Sequence, residues 1–91
     1  MKNLLRLYVV GNTPAAEMAQ TNIQTHLRNV PDTQWELEVI DVLEKPELAD
    51  EDRIVAVPAL IKKLPPPVRR YVGDMASKEH VLLGLDVRVS E

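Results

Sequence analysis

The sequence has 91 residues, of which 45% are hydrophobic and 27% charged, and its formal net charge is −3 at pH 7. This length and composition are typical of one globular domain, here residues 1–91, and the chain is too short for two. The absence of cysteine excludes disulfides, thiol redox chemistry and cysteine-ligated metals, and the acidic balance and three aromatic residues argue against nucleic-acid binding.

The first forty residues alternate between strand and helix patterns. An apolar run over residues 4–10 predicts a buried strand. Thr13 is placed to cap a helix that begins at Pro14, and apolar residues then recur at helical spacing as far as Val30. A second strand is predicted over residues 35–42. This βαβ unit predicts two parallel strands joined by a right-handed crossover.

Prolines divide the second half of the sequence. Pro46 opens a predicted short helix over residues 46–53, which is rich in acidic residues, and a third strand is predicted over residues 55–61. A run of three prolines follows that strand, and because proline has no backbone N–H it ends regular structure there. A short fourth strand is predicted over residues 69–72.

The C-terminal stretch over residues 81–89 has two periodicities. Its odd positions are all apolar, which is typical of a strand, yet four of its apolar residues also fit one side of a helix. Ser77 is a candidate N-cap, and Gly84 fits the C′ position just beyond a helix end. We expect a helix over residues 77–83, while the strand interpretation stays open.

The sequence offers few residues for catalysis. His26 and His80 are the only histidines, and both are predicted to lie on the surface. No metal-ligand spacing and no phosphate-binding glycine motif is present, so we expect no enzyme activity, cofactor or metal. The element order βαβαββα, with Pro58 at the start of the third strand, predicts a thioredoxin-like fold with a cis Val57–Pro58 peptide bond. The position of the redox motif in that fold reads Gly-Asn-Thr-Pro, without a thiol, which indicates a binding protein.

Charge is distributed in two blocks. Residues 36–52 contain eight acidic residues and one basic residue. Residues 53–73 contain five basic residues and no acid. The pattern predicts a polarised surface that docks a protein partner, whereas a merely solvated exterior is the alternative.

Five segments closely resemble the KaiB family: residues 7–14, 39–43, 48–52, 64–70 and 84–86. The resemblance spans nearly the whole chain, and the most specific motif is the triple proline followed by Val68, Arg69 and Arg70. It implies a non-enzymatic regulator of a bacterial circadian clock that binds KaiC, a hexameric ATPase. It also implies fold switching between the thioredoxin-like form, which binds KaiC, and a βαββααβ form that assembles as a tetramer.

The acid-free basic run and the resemblance together assign residues to three roles. The expected KaiC contacts are Arg53, Lys62, Arg69 and Arg70. The expected fold-switch residues are Pro58, Pro65, Pro66, Pro67, Gly84 and Asp86. Tyr8 is expected at the oligomer interface of the alternative form.

Several positions depart from the clock-type pattern. Glu36 and Glu38 stand on the edge where clock-type members use a small and a basic residue to capture KaiA, so we expect no such capture. Val89 replaces an aromatic residue of the tetramer, and the acidic C-terminal tail is lacking, so we expect mainly a monomer in the thioredoxin-like form.

A sensor or adaptor domain for a histidine kinase is the alternative function, and competition with such a kinase for the KaiC-like partner is a related expectation. No segment approaches the ~20 apolar residues of a membrane span, and no signal-peptide pattern is present. We therefore expect a cytoplasmic protein with no membrane partner.

Overall fold

The computed structural model describes residues 3–28, 35–73 and 75–85. Its elements are β1 (Asn3–Val9), α1 (Pro14–Arg28), β2 (Trp35–Asp41), α2 (Pro46–Glu51), β3 (Ala59–Leu64), β4 (Arg69–Val72) and α3 (Lys78–Gly84). The four strands form one sheet in the order β2-β1-β3-β4, in which β1 and β2 are parallel and the other pairs antiparallel. The βαβαββα order confirms the predicted thioredoxin-like fold.

The start of α1 agrees with the sequence prediction. The Thr13 hydroxyl accepts a hydrogen bond from the backbone N–H of Ala16 at 3.1 Å, which satisfies one of the donors that a helix start leaves unpaired. Pro14 follows as the first helical residue, where its missing N–H has no consequence. The helix buries Ala19 and Ile23 against the sheet, as the apolar stripe predicts.

The prediction for the third strand is wrong at both ends. β3 begins at Ala59, after Pro58, and continues to Leu64. Val55, which the apolar run placed inside the strand, is 96% exposed in the connection between α2 and β3. Pro58 and Pro65 directly precede and follow β3, because proline cannot donate to the ladder of a strand paired on both sides.

Three prolines are preceded by cis peptide bonds. The predicted cis bond between Val57 and Pro58 is confirmed, and the Leu64–Pro65 and Pro66–Pro67 bonds are also cis.

The predicted C-terminal helix is present, with a corrected end. Ser77 is its N-cap, and its hydroxyl accepts a hydrogen bond from the backbone N–H of His80 at 3.3 Å. Gly84 is the last helical residue and not the C′ residue. A Cβ at Gly84 would lie 3.2 Å from Cδ2 of Tyr71, so the glycine serves the close packing of α3 on β4. Asp86 and residues 87–91 lie outside the described residues.

The prediction for His26 is wrong, whereas His80 is exposed as expected. His26 is only 7% exposed, and its Nε2 lies 2.8 Å from the carbonyl oxygen of Met75. Met75 is fully buried before α3 with a left-handed φ of 63°. Its carbonyl oxygen therefore requires an internal partner, and the imidazole of α1 supplies it.

The two faces of the sheet carry separate apolar clusters. α1 and α3 cover one face, on which the buried side chains belong mainly to leucine, isoleucine, valine and alanine. α2 covers the other face, where Tyr8, Ile40, Ala59 and Ile61 form a smaller cluster. We call these the α1–α3 face and the α2 face.

Candidate docking surface

α2 ends in a backbone motif that fixes Arg53. The N–H of Ile54 bonds to the carbonyl of Ala49 at 2.9 Å, and the N–H of Arg53 bonds to the carbonyl of Asp50 at 3.1 Å. This pair of bonds is a Schellman motif, whose C′ residue adopts a left-handed conformation and is usually glycine. Arg53 occupies that position with a φ of 54°. A side chain in this conformation costs roughly 1 kcal/mol or more.

Arg70 of β4 contacts the same turn. Its Nη1 donates a hydrogen bond to the carbonyl oxygen of Arg53 at 3.3 Å. Both arginine side chains are exposed, and Val72, which lies on the same face of β4 as Arg70, is also exposed. We call Arg53, Arg70 and Val72 the α2–β4 surface. It combines two guanidinium groups with an apolar side chain at the edge of the sheet.

The four basic residues predicted to contact a partner do not share one surface. Lys62 is only 2% exposed, and it lies on the α1–α3 face beside its β1 partner Leu5, so its predicted place on an accessible surface is wrong for this fold. Side chains alternate along a strand, and the sequence run could not show which face receives Lys62. Arg69 is exposed but lies opposite Lys62, on the other face of β4 from Arg70.

A group of charged side chains lies directly beneath the turn. The carboxylate of Asp52 accepts hydrogen bonds from Arg6 Nη1 at 3.0 Å and from Lys63 Nζ at 2.7 Å, and also from the Tyr8 hydroxyl. The same hydroxyl lies 3.0 Å from the carbonyl oxygen of Leu48. Glu38 completes the group, because its carboxylate accepts from Arg6 Nε at 3.2 Å. We call Arg6, Tyr8, Glu38, Asp52 and Lys63 the ionic cluster.

The ionisation of the cluster follows from its contacts. Burial alone would raise the pKa of Asp52, but hydrogen bonds from Lys63, Tyr8 and Arg6 outweigh it and hold that pKa below its usual 3.8. Burial and the hydrogen bond to Asp52 raise the pKa of Tyr8 to about 12. Burial lowers the pKa of Arg6, but its hydrogen bonds to Tyr8, Glu38 and Asp52 prevail and raise it. At neutral pH Asp52 is therefore a carboxylate and Tyr8 a neutral phenol.

Sequence reasoning missed the ionic cluster. It placed the acidic block on the surface, as part of a docking surface or alternatively as a solvated exterior, whereas Glu38 and Asp52 pair internally with Arg6 and Lys63. One signal was present: Arg6 is a lone charged residue inside the apolar run of β1, and such a residue needs a partner when the strand is central.

The other predicted residues have structural positions without tested roles. Tyr8 is fully buried in this form, so its expected place at an oligomer interface concerns only the alternative form. Pro58, Pro65, Pro66 and Pro67 flank β3, and Gly84 packs on Tyr71. Across the described ranges, no group of three or more histidine, aspartate or glutamate side chains is placed to hold a metal ion. None of the helices described is long and apolar enough to cross a membrane.

The KaiB domain family matches residues 6–87 of the chain. The chain belongs to the KaiB family. The circadian clock oscillator protein KaiB of Prochlorococcus marinus strain MIT 9312 is 49% identical over 88 residues, which cover 97% of this chain and 84% of that protein. The KaiB protein of Synechococcus sp. strain RCC307 is 50% identical over 92 residues, covering 97% of this chain and 80% of that protein. KaiB proteins are non-enzymatic clock proteins, in agreement with the sequence analysis.

Solved structures support the same fold. The N-terminal domain of Synechococcus elongatus SasA matches with a TM-score of 0.73 at 28% identity, covering 81% of this chain and 70% of that one. Mitochondrial thioredoxin 3 from Saccharomyces cerevisiae matches with a TM-score of 0.72 at 19% identity, covering 93% of this chain and 77% of that one. The second likeness concerns the fold alone, because Gly11 to Pro14 provide no thiol at the position of the redox motif.

Proposed function

We propose that this KaiB-like protein docks on a KaiC-type hexameric ATPase through the α2–β4 surface of its thioredoxin-like form. The observation that carries the proposal is Arg53, an exposed arginine in a left-handed turn where glycine is usual. A strained residue at an exposed position suggests a role outside the fold itself. Its carbonyl group accepts a bond from Arg70, which brings a second exposed guanidinium beside it.

The chemistry of this surface fits an acidic protein partner. Guanidinium groups bind carboxylates with two parallel hydrogen bonds, which gives both orientation and strength. Val72 adds an apolar contact at the sheet edge. Such exposed charges accelerate association and set orientation, and their contribution decreases as salt increases. Arg69 is a flanking contact in this proposal, on the other side of β4.

Charge reversal at Arg53 and Arg70 tests the proposal. The Arg53→Glu/Arg70→Glu variant is expected to weaken binding to a KaiC-type ATPase at least tenfold at low salt, and less at high salt. Arg28→Glu/Lys45→Glu is the matched control, because it changes the net charge equally at two exposed sites outside the α2–β4 surface. Unchanged low-salt affinity in the first variant, or an equal loss in the control, contradicts the assignment.

Fold switching is the second part of the proposal. The family resemblance and the double periodicity of residues 81–89 support a second form, in which Gly84, Asp86 and the prolines around β3 take new positions. The Ser77 cap supports the monomeric, thioredoxin-like form as the major one. Secondary chemical shifts together with a sedimentation mass test this balance. A tetramer with extended shifts over residues 81–89 would show that the other form dominates.

KaiA capture is not part of the proposed function. β2 lies at the edge of the sheet, where Glu36 is exposed and Glu38 is bonded to Arg6. Two acidic residues at this edge disfavour binding of KaiA, because clock-type members of the family use a small and a basic residue there. A native complex with KaiA in a pull-down experiment would contradict this part.

The alternative function is a sensor or adaptor domain for a histidine kinase. A KaiB-like protein binds the ATPase as a separate molecule and displaces a kinase domain from it. A sensor or adaptor domain does not displace the kinase. A competition assay on one KaiC-type hexamer separates them, with displacement supporting the KaiB-like role. We include a cytoplasmic location in the proposal, which fractionation of the host cell tests.

A further inference from the structure

α2 is lightly packed for an element that carries a docking surface. It has six residues, and none of them is fully buried. Of its residues, Leu48 and Ala49 pack against the small apolar cluster on the α2 face, and both are partly exposed; Ile54, two residues after the helix-ending Asp52, packs there as well. So short a helix has little intrinsic stability, and its position depends on tertiary contacts. Polar contacts to the sheet therefore make up a large share of what fixes its C-terminal end.

Asp52 provides the densest of those contacts. Its two carboxylate oxygens receive hydrogen bonds from β1, through Arg6 and Tyr8, and from β3, through Lys63. It is also the C-cap residue of α2, and its own N–H bonds to the carbonyl of Leu48 at 3.1 Å. The side chain that bonds to two strands thus belongs to the residue at which the helix ends.

The next residue is Arg53. One peptide bond separates the tethered Asp52 from the left-handed residue, and the Arg53 carbonyl accepts the bond from Arg70. The turn therefore has two polar attachments, one to the centre of the sheet and one to its β4 edge, in addition to the apolar packing of Ile54 on the α2 face. Since the left-handed conformation is unfavourable for arginine, the turn keeps it only while its surroundings require it.

We propose that Asp52 is the positioning residue of the α2–β4 surface: its carboxylate, bonded to Arg6, Tyr8 and Lys63, holds the turn in which Arg53 meets Arg70. Asp52 itself does not contact the partner. This inference rests on the proposed docking function. It deepens that function by assigning the preorganisation of the two guanidinium groups to the ionic cluster.

Asp52→Asn is the variant that tests the inference. Asparagine keeps the size of the side chain, but one oxygen becomes an NH₂ donor that faces donors of the ionic cluster. Asp50→Asn is the matched control, because Asp50 is an exposed residue of the same helix and the substitution changes the charge equally. Amide hydrogen exchange measures the turn itself. We expect the Arg53 and Ile54 amides to exchange at least tenfold faster in Asp52→Asn than in Asp50→Asn, relative to the slowest amides of β1 and β3.

Binding to the KaiC-type ATPase provides the second measurement, at a temperature where every variant is folded. Asp52→Asn is expected to weaken binding about tenfold in the native background and less than twofold in an Arg53→Ala/Arg70→Ala background. A residue that acts through those arginines has no further effect once they are gone. If Asp52 had a purely structural role, Asp52→Asn would destabilise the protein equally in both backgrounds, and the loss of binding would not depend on Arg53 and Arg70.

Two results overturn the inference: unchanged exchange at Arg53 in Asp52→Asn, or an equal binding loss in both backgrounds. Failure of the docking function gives a different result, in which the unsubstituted protein does not bind the ATPase at all. In that case the amide-exchange measurement still decides whether Asp52 positions the turn.

Discussion

The two faces of the sheet are stabilised in different ways. On the α1–α3 face the described residues include a cluster of eleven buried side chains, from Leu5 in β1 to Leu85 after α3. On the α2 face four buried residues form the apolar cluster, and one of them, Tyr8, also belongs to the ionic cluster centred on Asp52. The first face relies on non-directional apolar burial, whereas the second combines a small core with hydrogen bonds of defined geometry.

This difference explains where the proposed docking surface lies. Apolar burial tolerates many arrangements of similar volume, but it does not orient an exposed charge. Hydrogen bonds to a carboxylate fix direction, at the cost of desolvating the charges that form them. The α2 face therefore has the smaller apolar core, and its hydrogen bonds give Arg53 a defined position. Functional segments are commonly drawn from the less stable parts of a fold.

Truncating neighbouring residues of β3 tests the comparison most strongly. Leu60 is buried on the α1–α3 face and Ile61 on the α2 face. We expect Leu60→Ala to lower the free energy of unfolding by about 4 kcal/mol and Ile61→Ala by about 2–3 kcal/mol, because the larger cluster leaves a less collapsible cavity. Urea unfolding measures both. Leu83→Ala, at a residue 78% exposed, serves as the control and should change stability by less than about 0.5 kcal/mol. The reverse order for the two β3 variants would contradict the comparison.

Alkaline titration tests the ionic cluster. Because the pKa of Tyr8 is raised from 10.0 to about 12, the folded state keeps a proton that the unfolded state releases. The resulting stabilisation is fully present below pH 10 and disappears as the pH rises to about 12. A shift of this size corresponds to about 2–3 kcal/mol. Urea unfolding at several alkaline pH values measures the decline.

Two phenylalanine variants separate Tyr8 from other groups that titrate in the same range. Tyr8→Phe should remove this part of the alkaline decline, while Tyr71→Phe should leave it. An identical decline in Tyr8→Phe and the unsubstituted protein would show that the phenol is not responsible.

Arg53→Gly tests whether strain and function coincide at the turn. Glycine adopts the left-handed conformation without steric cost, so we expect the free energy of unfolding to rise by about 1 kcal/mol. The same change removes a guanidinium of the α2–β4 surface and should weaken binding to the ATPase. Arg53→Ala is the control, since it removes the guanidinium but keeps the strain. Thermal unfolding should show the gain in stability of Arg53→Gly, and a binding assay should show its loss of affinity. A glycine variant less stable than the alanine variant would contradict the proposed strain at Arg53.

The smallest expected change in the free energy of unfolding concerns the start of α2. Thr13 caps α1, whereas Lys45 at the corresponding position of α2 forms no capping hydrogen bond with its side chain. We expect Lys45→Ser to raise the free energy of unfolding by about 0.5 kcal/mol, because the serine hydroxyl can accept an N–H of the first turn. Thr13→Ala should lower it by about 1 kcal/mol. Urea unfolding of both variants measures these changes. It shows whether the missing side-chain cap at the start of α2 lowers the free energy of unfolding.

Local signals in the sequence determined most of the fold. Thr13 and Pro14 mark the start of α1, Ser77 marks the start of α3, and the element order indicates the thioredoxin-like topology. Helix capping and proline geometry depend on residues close together in the chain. They can therefore be predicted from the sequence alone. The KaiB motifs added the family, to which the chain belongs.

Tertiary structure decided what those signals left open. The sequence showed that Lys62 and Arg70 share a basic run, but only the sheet register places Lys62 in the core and Arg70 at the edge. It showed Arg6 as a lone charge in an apolar run and Asp52 as the last residue of an acidic block, and only the packing of α2 on the sheet pairs them. Face and partner are set by residues distant in the chain, because strand register and helix docking depend on the fold as a whole.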